Sequence, residues 1–459
     1  MASSERGFMF IFPGQGAQYR GMGSDLHAEF LVARRVYDNA SELLGIDLAD
    51  LSFRDLRGEL DRTELTQVAL FTHSIACLEV FRELAGDAVR PHVTAGHSLG
   101  EYSALVAAGV LRFEDALRLV RARAAAMAEH GRGTMVALRL GASIVRTFVD
   151  RFYCGIGGCN LPDQTVVGGA ADDLKELVDF VRTRYGVRAI QLNTRGAFHT
   201  YLMSQAAEAF RPALSLVPFS APRCRVMSNY TGTYHSFAPE TIKAHLFFQI
   251  FHPVRWMWQL QRALADGVDV VIEFGGGTGA ASSPASKIPN LQGITRAAIA
   301  RTNHAAVYCA GISADHLKET ARFVHAYSSI VEMFDDRRSA DTGAQGTNGA
   351  AANGQAEQSF RLYVPTVHRM PIRIGVEMIR SVAELGLTNI VEIVAEPVER
   401  NVETLRWLDA QRGESPQPYL EVVYACEAAA VLHYVGAEIL PQLTALARRP
   451  PQAHVSAVA

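Results

Sequence analysis

The strongest indication of the fold of this chain is the stretch Val93-Thr94-Ala95-Gly96-His97-Ser98-Leu99-Gly100-Glu101. An apolar, β-rich run breaks there at a Gly-x-Ser-x-Gly motif and continues into a helical pattern. This order is typical of a nucleophile elbow, in which glycines allow a sharp strand-to-helix turn that exposes a serine hydroxyl near the helix N-terminus. We therefore predict that Ser98 is a covalent catalyst. An ordinary turn capped by Ser98 is the structural alternative.

A second informative loop follows a strand near the N-terminus. The run Phe8-Met9-Phe10-Ile11-Phe12 is apolar throughout, as expected for a strand buried on both faces, and it ends in Pro13-Gly14-Gln15-Gly16-Ala17-Gln18. Such a loop can bring a backbone N–H next to that of Leu99, and two donors of this kind form an oxyanion hole. A phosphate-binding loop is less favoured, because the lysine and spacing of a P-loop are missing.

A serine nucleophile needs a base, and the chain has 15 histidines. His199 follows the strand-like segment 187–192 and precedes a helical run, which predicts a loop position at the end of a strand. Loop histidines are often merely solvated, so position alone does not make His199 the base.

Together these residues resemble the malonyl-CoA:acyl-carrier-protein transacylases and the acyltransferase domains of polyketide and fatty-acid synthases, over roughly residues 7–300. Further matches are Ser228-Asn229-Tyr230-Thr231-Gly232, Pro253-Val254-Arg255-Trp256 and Glu273-Phe274-Gly275-Gly276-Gly277. The appended C-terminal segment is similar to what a discrete, trans-acting member would carry. The resemblance implies an α/β-hydrolase-like core with a parallel sheet, a small ferredoxin-like insert and an active site between them.

The same resemblance implies a role for each motif residue. Ser98 would be the acylated nucleophile and His199 its general base. Gln15 and Leu99 would offer backbone N–H groups to the oxyanion. A backbone carbonyl within residues 248–250 would orient the imidazole, so that no aspartate is needed.

Substrate contacts are also implied by the resemblance. Arg123 would bind the carboxylate of a dicarboxylic acyl group, since a guanidinium grips a carboxylate through two hydrogen bonds. Phe198 would crowd the α-carbon and favour malonyl over methylmalonyl groups. His97, Asn160 and Gln249 would bind substrate, although an asparagine that holds a turn is an equal reading of Asn160.

The function implied is transfer of a malonyl group from malonyl-CoA, through a seryl ester, to the phosphopantetheine thiol of an acyl carrier protein. No bound cofactor is expected. Residues 193–196 depart from the family's usual approach to His199, which leaves the pocket shape there open. Two alternatives from other classes are an acyl hydrolase of the same fold and a scaffold component of a synthase.

Composition is typical of a soluble globular enzyme. Of 459 residues 49% are hydrophobic, and the net charge of −3 gives no sign of nucleic-acid binding. No apolar run reaches the roughly 18–20 residues of a membrane span, and the N-terminus lacks signal-peptide features, so we expect a cytoplasmic protein without a membrane partner. The six cysteines lack metal-ligand spacing, so we predict neither a metal site nor a disulfide framework.

The order of strand-like and helix-like segments predicts the domain organisation. Between the halves of the core, the pattern is that of a βαββαβ insert. Beyond it, residues 341–355 are small and polar, as in a flexible linker, and the tail has strand-like segments at 360–364 and 390–394 with helical ones at 375–385 and 425–440. The predicted parts are the core at 1–131 and 199–310, the insert at 132–198, a helical extension at 311–335, the linker at 336–359 and a module of unknown fold and role at 360–459.

Overall fold

The structure is a computed structural model that describes residues 7–86, 89–194, 196–301 and 306–341, together with two strands at 360–365 and 391–396. Side chains are described up to residue 327. The chain divides into two compact units, Met1–Thr347 and Asn348–Ala459.

The described part of the first unit is a succession of strands and helices. The strands are β1 (Gly7–Phe12), β2 (Val93–Gly96), β3 (Thr134–Leu138), β4 (Gly155–Leu161), β5 (Gln164–Gly169), β6 (Ile190–Gln191), β7 (Arg225–Val226), β8 (Val268–Phe274) and β9 (Val307–Gly311). The helices are α1 (Ser24–Glu29), α2 (Leu31–Leu44), α3 (Leu48–Phe53), α4 (Thr63–Ala85), α5 (Gly100–Ala107), α6 (Phe113–His130), α7 (Ala142–Arg146), α8 (Ala171–Tyr185), α9 (Ser204–Leu216), α10 (Pro239–Gln249), α11 (Trp256–Ala265), α12 (Gln292–Ile299) and α13 (Ala314–Asp341).

Five of the strands form a parallel sheet in the order β7-β2-β1-β8-β9, which confirms the predicted core. Its central strand β1 is covered on both faces: Met9 and Ile11 pack in one cluster with Trp256 of α11, while Phe10 meets Phe81 of α4 edge-on at 5.7 Å. Because both faces are buried, β1 needs an unbroken apolar run rather than an alternating one. The carboxyl ends of β1 and β2 therefore place their following loops at one edge of the sheet.

A second, antiparallel sheet in the order β4-β5-β3-β6 is the predicted insert. The elements β3, α7, β4, β5, α8 and β6 follow the βαββαβ order, and they enclose a separate apolar cluster that includes Val136, Val167 and Leu177. Strand β6 covers only Ile190–Gln191, which is shorter than the predicted segment 187–192. Strand β4 was not recognised from sequence, because its three glycines hide the alternation of a strand.

Main-chain hydrogen bonds attach the small sheet to the segment that precedes α11. The Cys159 N–H of β4 donates to the Val254 carbonyl at 2.8 Å, and the Val254 N–H donates to the Gly157 carbonyl at 3.0 Å. The segment before α11 therefore continues the edge of the small sheet. These bonds hold β4 against the core.

The end of the first unit differs from the predicted boundaries. Strand β9 adds an edge to the parallel sheet, and α13 packs on α4 rather than standing apart, with the His325 ring donating to the Leu84 carbonyl at 3.3 Å. Helix α13 continues to Asp341, so the prediction of a linker from residue 336 was wrong at its start: helix-compatible residues run on to the turn-forming Gly343. The rest of that predicted linker lies outside the described residues.

In the second unit the structure describes β10 (Phe360–Pro365) and β11 (Val391–Glu396), which pair in parallel, Phe360 opposite Val391. This confirms the two strand-like segments predicted there. The predicted helical segments at 375–385 and 425–440 lie outside the described residues. Over the described parts of both units, no helix combines the length and the apolar character needed to cross a membrane.

Candidate active site

Ser98 occupies a sharp turn between β2 and α5. Its backbone has φ of +53°, a strained value for a residue with a side chain, and its N–H donates to Asn229 Oδ1 at 2.6 Å. Leu99, not Ser98, holds the N-cap position of α5, and no side chain caps that helix. The reading of Ser98 as an ordinary N-cap is therefore wrong, because its hydroxyl points to other partners.

The glycines of the motif allow close backbone contacts at this turn. A Cβ added to Gly96 would lie 1.8 Å from the Gly100 carbonyl carbon, and one added to Gly100 would lie 2.1 Å from the Phe12 carbonyl oxygen. Side chains do not tolerate such distances, so strand β1 and the elbow can approach only through glycine.

The close approach at Gly100 gives a stability prediction. Gly100→Ala is expected to lower the free energy of unfolding by about 3 kcal/mol, because β1 or the elbow must move to accept the methyl group. Gly293→Ala in α12 is the matched control: nothing lies within 4 Å of its added Cβ, so it is expected to raise stability by about 0.5–1 kcal/mol. Urea unfolding measures both, and equal stabilities of the two variants would contradict the prediction.

His199 lies beside the serine on the loop after residue 196. The Ser98 Oγ and His199 Nε2 atoms are 2.6 Å apart, and His199 Nδ1 is 2.7 Å from the Gln249 carbonyl oxygen. The carbonyl can only accept, so Nδ1 carries the proton and Nε2 is left to accept from the serine hydroxyl. The arrangement is a nucleophile, a base and an orienting group, with a backbone carbonyl at the end of α10 as the third member.

Burial sets the charge of this histidine. The His199 side chain is 6% exposed, and burial, assisted by the positive charge of Arg123, lowers its pKa to about 3. His199 is therefore neutral at physiological pH. A neutral imidazole is the form that can take a proton from Ser98.

The loop after β1 lies against the elbow. A Cβ on Gly14 would be 2.4 Å from the His97 carbonyl oxygen and 3.5 Å from Ser98 Cβ. The Gln15 side chain is held by Thr63, whose hydroxyl accepts from it at 3.3 Å. The backbone N–H groups of Gln15 and Leu99 have no hydrogen-bond partner among the described residues. Both are thus free to bind an oxyanion next to Ser98.

Glycines that follow β8 pack against the loop after β1. The Gly277 N–H donates to the Ala17 carbonyl at 2.7 Å, and a Cβ on Gly276 would lie 2.6 Å from Ala17 Cβ. The glycine-rich run therefore packs against the loop at residues 13–18.

Arg123 is a fully buried cation on α6. Its Nη2 donates to Ser98 Oγ at 3.0 Å and to Gln249 Oε1 at 3.1 Å, and its Nη1 donates to Gln67 Oε1 at 2.6 Å. These acceptors are all uncharged, the Nε atom has no partner among the described residues, and burial lowers the pKa of the guanidinium. Arg118 and Arg121 of the same helix are exposed. No carboxylate among the described residues bonds Arg123 directly, so this buried cation beside Ser98 can accept an anionic group.

Gln67 was not identified from sequence, although it joins two parts of the site. Its Oε1 accepts from Arg123, and its Nε2 lies 3.5 Å from Gln15 Oε1. Gln67 therefore links the buried arginine to the loop at residues 13–18. It lies in the interior of α4, where nearly every residue is buried. A buried glutamine in that helix was the available signal, since buried amides need partners.

The remaining predicted substrate-binding residues lie around the cleft. His97 Nε2 is 3.0 Å from Asn160 Oδ1, which bridges the two sheets, and burial lowers the pKa of His97. Asn160 lies in β4, so the alternative that it holds a turn was wrong. Phe198 is 7% exposed and packs over the backbone of Gly196. The Gln249 side chain is fully buried and bonded to Ser98, Arg123 and Glu101.

No group of three or more His, Cys, Asp or Glu side chains that could hold a metal ion occurs in the described part of the chain. Five cysteines, at 77, 154, 159, 224 and 309, are free thiols there.

The chain is similar to known acyltransferases. The family described as acyl transferase domain matches residues 9–275. The malonyl CoA-acyl carrier protein transacylase of Bacillus subtilis (strain 168) is 37% identical over 277 residues, which cover 58% of this chain and 86% of that protein. Polyketide biosynthesis protein ThaF of Burkholderia thailandensis is 35% identical over 274 residues, covering 59% of this chain and 23% of ThaF.

Solved structures of malonyl transacylases have a similar fold. The malonyl CoA-acyl carrier protein transacylase from Clostridium perfringens superposes with a TM-score of 0.63 at 30% identity, over 71% of this chain and 99% of that one. A malonyl-transacylase solved in complex with its type II PKS acyl-carrier protein has a TM-score of 0.61 at 31% identity, over 68% of this chain and 97% of that one. Because the family match alone, residues 9–275 of 459, spans more than half of the chain, this protein belongs to the acyl transferase domain family and is an acyltransferase.

Proposed function

We propose that this enzyme transfers a malonyl group from malonyl-CoA to the phosphopantetheine thiol of an acyl carrier protein, through an ester on Ser98. The observation that carries the proposal is the buried Arg123, whose Nη2 lies 3.0 Å from Ser98 Oγ. A fixed positive charge at that distance suits an acyl group that ends in a carboxylate. Relatives named malonyl CoA-acyl carrier protein transacylase support the same substrate and acceptor.

In the first half-reaction, Ser98 Oγ attacks the thioester carbonyl carbon while its proton passes to His199 Nε2. The oxyanion that forms accepts from the backbone N–H groups of Gln15 and Leu99. The C–S bond then breaks, CoA leaves as a thiol with the proton from His199, and the acyl group stays on Ser98 as an ester.

The second half-reaction reverses these roles with another thiol. The phosphopantetheine thiol of the carrier protein gives its proton to His199, and its sulfur attacks the seryl ester. Collapse of the second oxyanion returns the proton to Ser98 Oγ. Each half uses the same base and the same oxyanion donors, so no cofactor is required by this scheme.

Arg123 and Phe198 account for the choice of acyl group. Arg123 would release one or both of its Gln contacts to grip the malonyl carboxylate through two N–H groups. Phe198, nearly buried beside the base, leaves little room for a methyl branch, although one methyl group discriminates by only about 1–3 kcal/mol. We propose malonyl rather than methylmalonyl as the preferred group.

The proposed setting is the cytoplasm, in fatty-acid or polyketide biosynthesis. The similarity to a polyketide biosynthesis protein and to a transacylase bound to a type II PKS carrier protein supports the polyketide branch, while the Bacillus relative is equally compatible with either.

The pKa of His199 predicts the pH dependence of acylation. The base is active when neutral, so its activity is present above a pKa of about 3 and is lost only as pH falls through that value. The rate of Ser98 acylation by malonyl-CoA is therefore expected to stay level from pH 8 to pH 5, without the fall near 6.5 of an ordinary histidine. Rapid-quench mass spectrometry across that range measures the rate. A titration step between pH 6 and 7 would contradict the assignment.

The experiment that tests the proposed function is intact-mass analysis of the protein with malonyl-CoA, acetyl-CoA and methylmalonyl-CoA, each with and without holo carrier protein. We expect a malonyl adduct that passes to the carrier thiol faster than to water. An adduct lost to water faster than to carrier would instead support an acyl hydrolase of the same fold. No malonyl adduct at all would reject the proposal.

A further inference from the structure

Behind the nucleophile, Glu101 makes a fully buried hydrogen-bond contact with a histidine. Glu101 lies in the first turn of α5, three residues after Ser98, and its carboxylate has no exposed surface. Its Oε1 atom is 2.6 Å from His235 Nε2, and the His235 side chain is also fully buried. A buried carboxylate is costly unless donors surround it, so its partners must be well fixed.

The other oxygen of Glu101 holds two residues of the site. Glu101 Oε2 accepts from the Asn229 backbone N–H at 3.1 Å and from Gln249 Nε2 at 2.9 Å. Asn229 in turn accepts from the Ser98 N–H. Glu101 therefore fixes the orientation of the Gln249 amide, whose Oε1 atom faces Arg123.

His235 reaches Gln249 by a second route along α10. Its Nδ1 lies 3.1 Å from His245 Nδ1, and the two rings stack at 5.1 Å. His245 and Gln249 are four residues apart on α10, which places them on the same helix face. Burial and the nearby His235 lower the pKa of His245, so that ring is neutral and can donate or accept at Nδ1.

We propose that His235 is a positioning residue for malonyl transfer: its Nε2–H holds the Glu101 carboxylate, which holds the Gln249 amide that orients Arg123. The inference rests on the proposed function, since it concerns the arginine that would bind the malonyl carboxylate. Because His199 is oriented by the main-chain carbonyl of Gln249 and not by its amide, loss of His235 disturbs Arg123 more than the base.

This difference gives a readout that a general loss of structure would not produce. An effect through Arg123 lowers acylation by malonyl-CoA more than acylation by acetyl-CoA, which has no carboxylate. An effect on folding or on His199 lowers both in proportion. The ratio of the two acylation rates therefore separates positioning from a merely structural role.

The test compares His235→Asn with His235→Gln, two amides that differ by one methylene. The glutamine amide nitrogen can take the place of Nε2 and keep the bond to Glu101, whereas the asparagine amide is too short. We expect His235→Asn to lower the malonyl to acetyl ratio about tenfold, as expected for a lost hydrogen bond to a buried charge, and His235→Gln to keep it within about threefold of wild type.

The matched control is His73→Asn, which removes another fully buried histidine, in α4, bonded to Tyr37 at 3.4 Å and away from this chain of contacts. It is expected to lower the melting temperature and to leave the ratio unchanged. If His235→Asn does not fold, Glu101→Gln carries the test with the same expected fall. An unchanged ratio in the folded variant overturns the inference, whereas wild-type protein that takes no malonyl group rejects the proposed function itself.

Discussion

Ser98→Ala is expected to abolish the malonyl adduct and to reduce acyl transfer to carrier protein by at least about a thousandfold. In the proposed mechanism the Ser98 hydroxyl oxygen forms the ester, and removal of this nucleophile would leave only the binding and oxyanion contributions to the rate. Intact-mass analysis after incubation with malonyl-CoA measures the adduct, and carrier-protein mass measures the transfer.

Ser103→Ala is the matched control for this substitution. Ser103 lies one turn further along α5, is 1% exposed, and its hydroxyl has no hydrogen-bond partner among the described residues. The control is expected to keep the full adduct. A malonyl adduct on Ser98→Ala protein would place the acyl group on another residue and would reject the assignment of Ser98.

Arg123→Ala is expected to lower acylation by malonyl-CoA about a hundredfold to a thousandfold, while acylation by acetyl-CoA falls much less or rises. The substitution would remove the two charge-assisted hydrogen bonds that we propose between Arg123 and the malonyl carboxylate, and a loss of both accounts for a change of that size. It also removes the contact with Ser98 Oγ, which affects every acyl group and therefore cancels in the malonyl to acetyl ratio.

The control is Arg118→Ala. Arg118 is an exposed residue of the same helix, and its Nη1 donates to Asp115 Oδ1 at 3.4 Å. It is expected to leave both rates unchanged, because an exposed pair of this kind contributes little. Arg123→Lys is expected to be intermediate, since an ammonium supplies charge without the fork geometry. Equal loss with malonyl-CoA and acetyl-CoA in Arg123→Ala would assign the arginine to the serine rather than to the carboxylate.

The fold could be predicted from local patterns. Strand β1, Gly7–Phe12, agrees with the strand predicted at Phe8–Phe12, because an apolar run of that length before a turn fits a buried strand well. Strand β4 escaped prediction because glycines carry no periodicity. It pairs with β5 in a local hairpin, but its contact with Val254 lies far along the chain, where no local window reaches.

The residues of the candidate site likewise divide into those that the sequence predicted and those that it did not. Ser98, His199 and Arg123 were predicted because the motifs around them resemble those of the acyltransferase family. The structure brings the three side chains together. The roles of Gln67 and Glu101 depend on partners 56 and 134 residues away, so only the folded chain reveals them. A polar side chain on the buried face of a helix indicates that it needs a hydrogen-bond partner, but the sequence does not identify that partner.

The main-chain bonds between β4 and Val254 and the contact between His97 and Asn160 attach the small sheet to the core through one strand, β4. Backbone hydrogen bonds along a strand resist separation, so we expect this edge of the cleft to stay closed when a carrier protein binds. In the proposed mechanism the flexible phosphopantetheine arm, rather than a movement of β4, would then bring the acceptor thiol to Ser98.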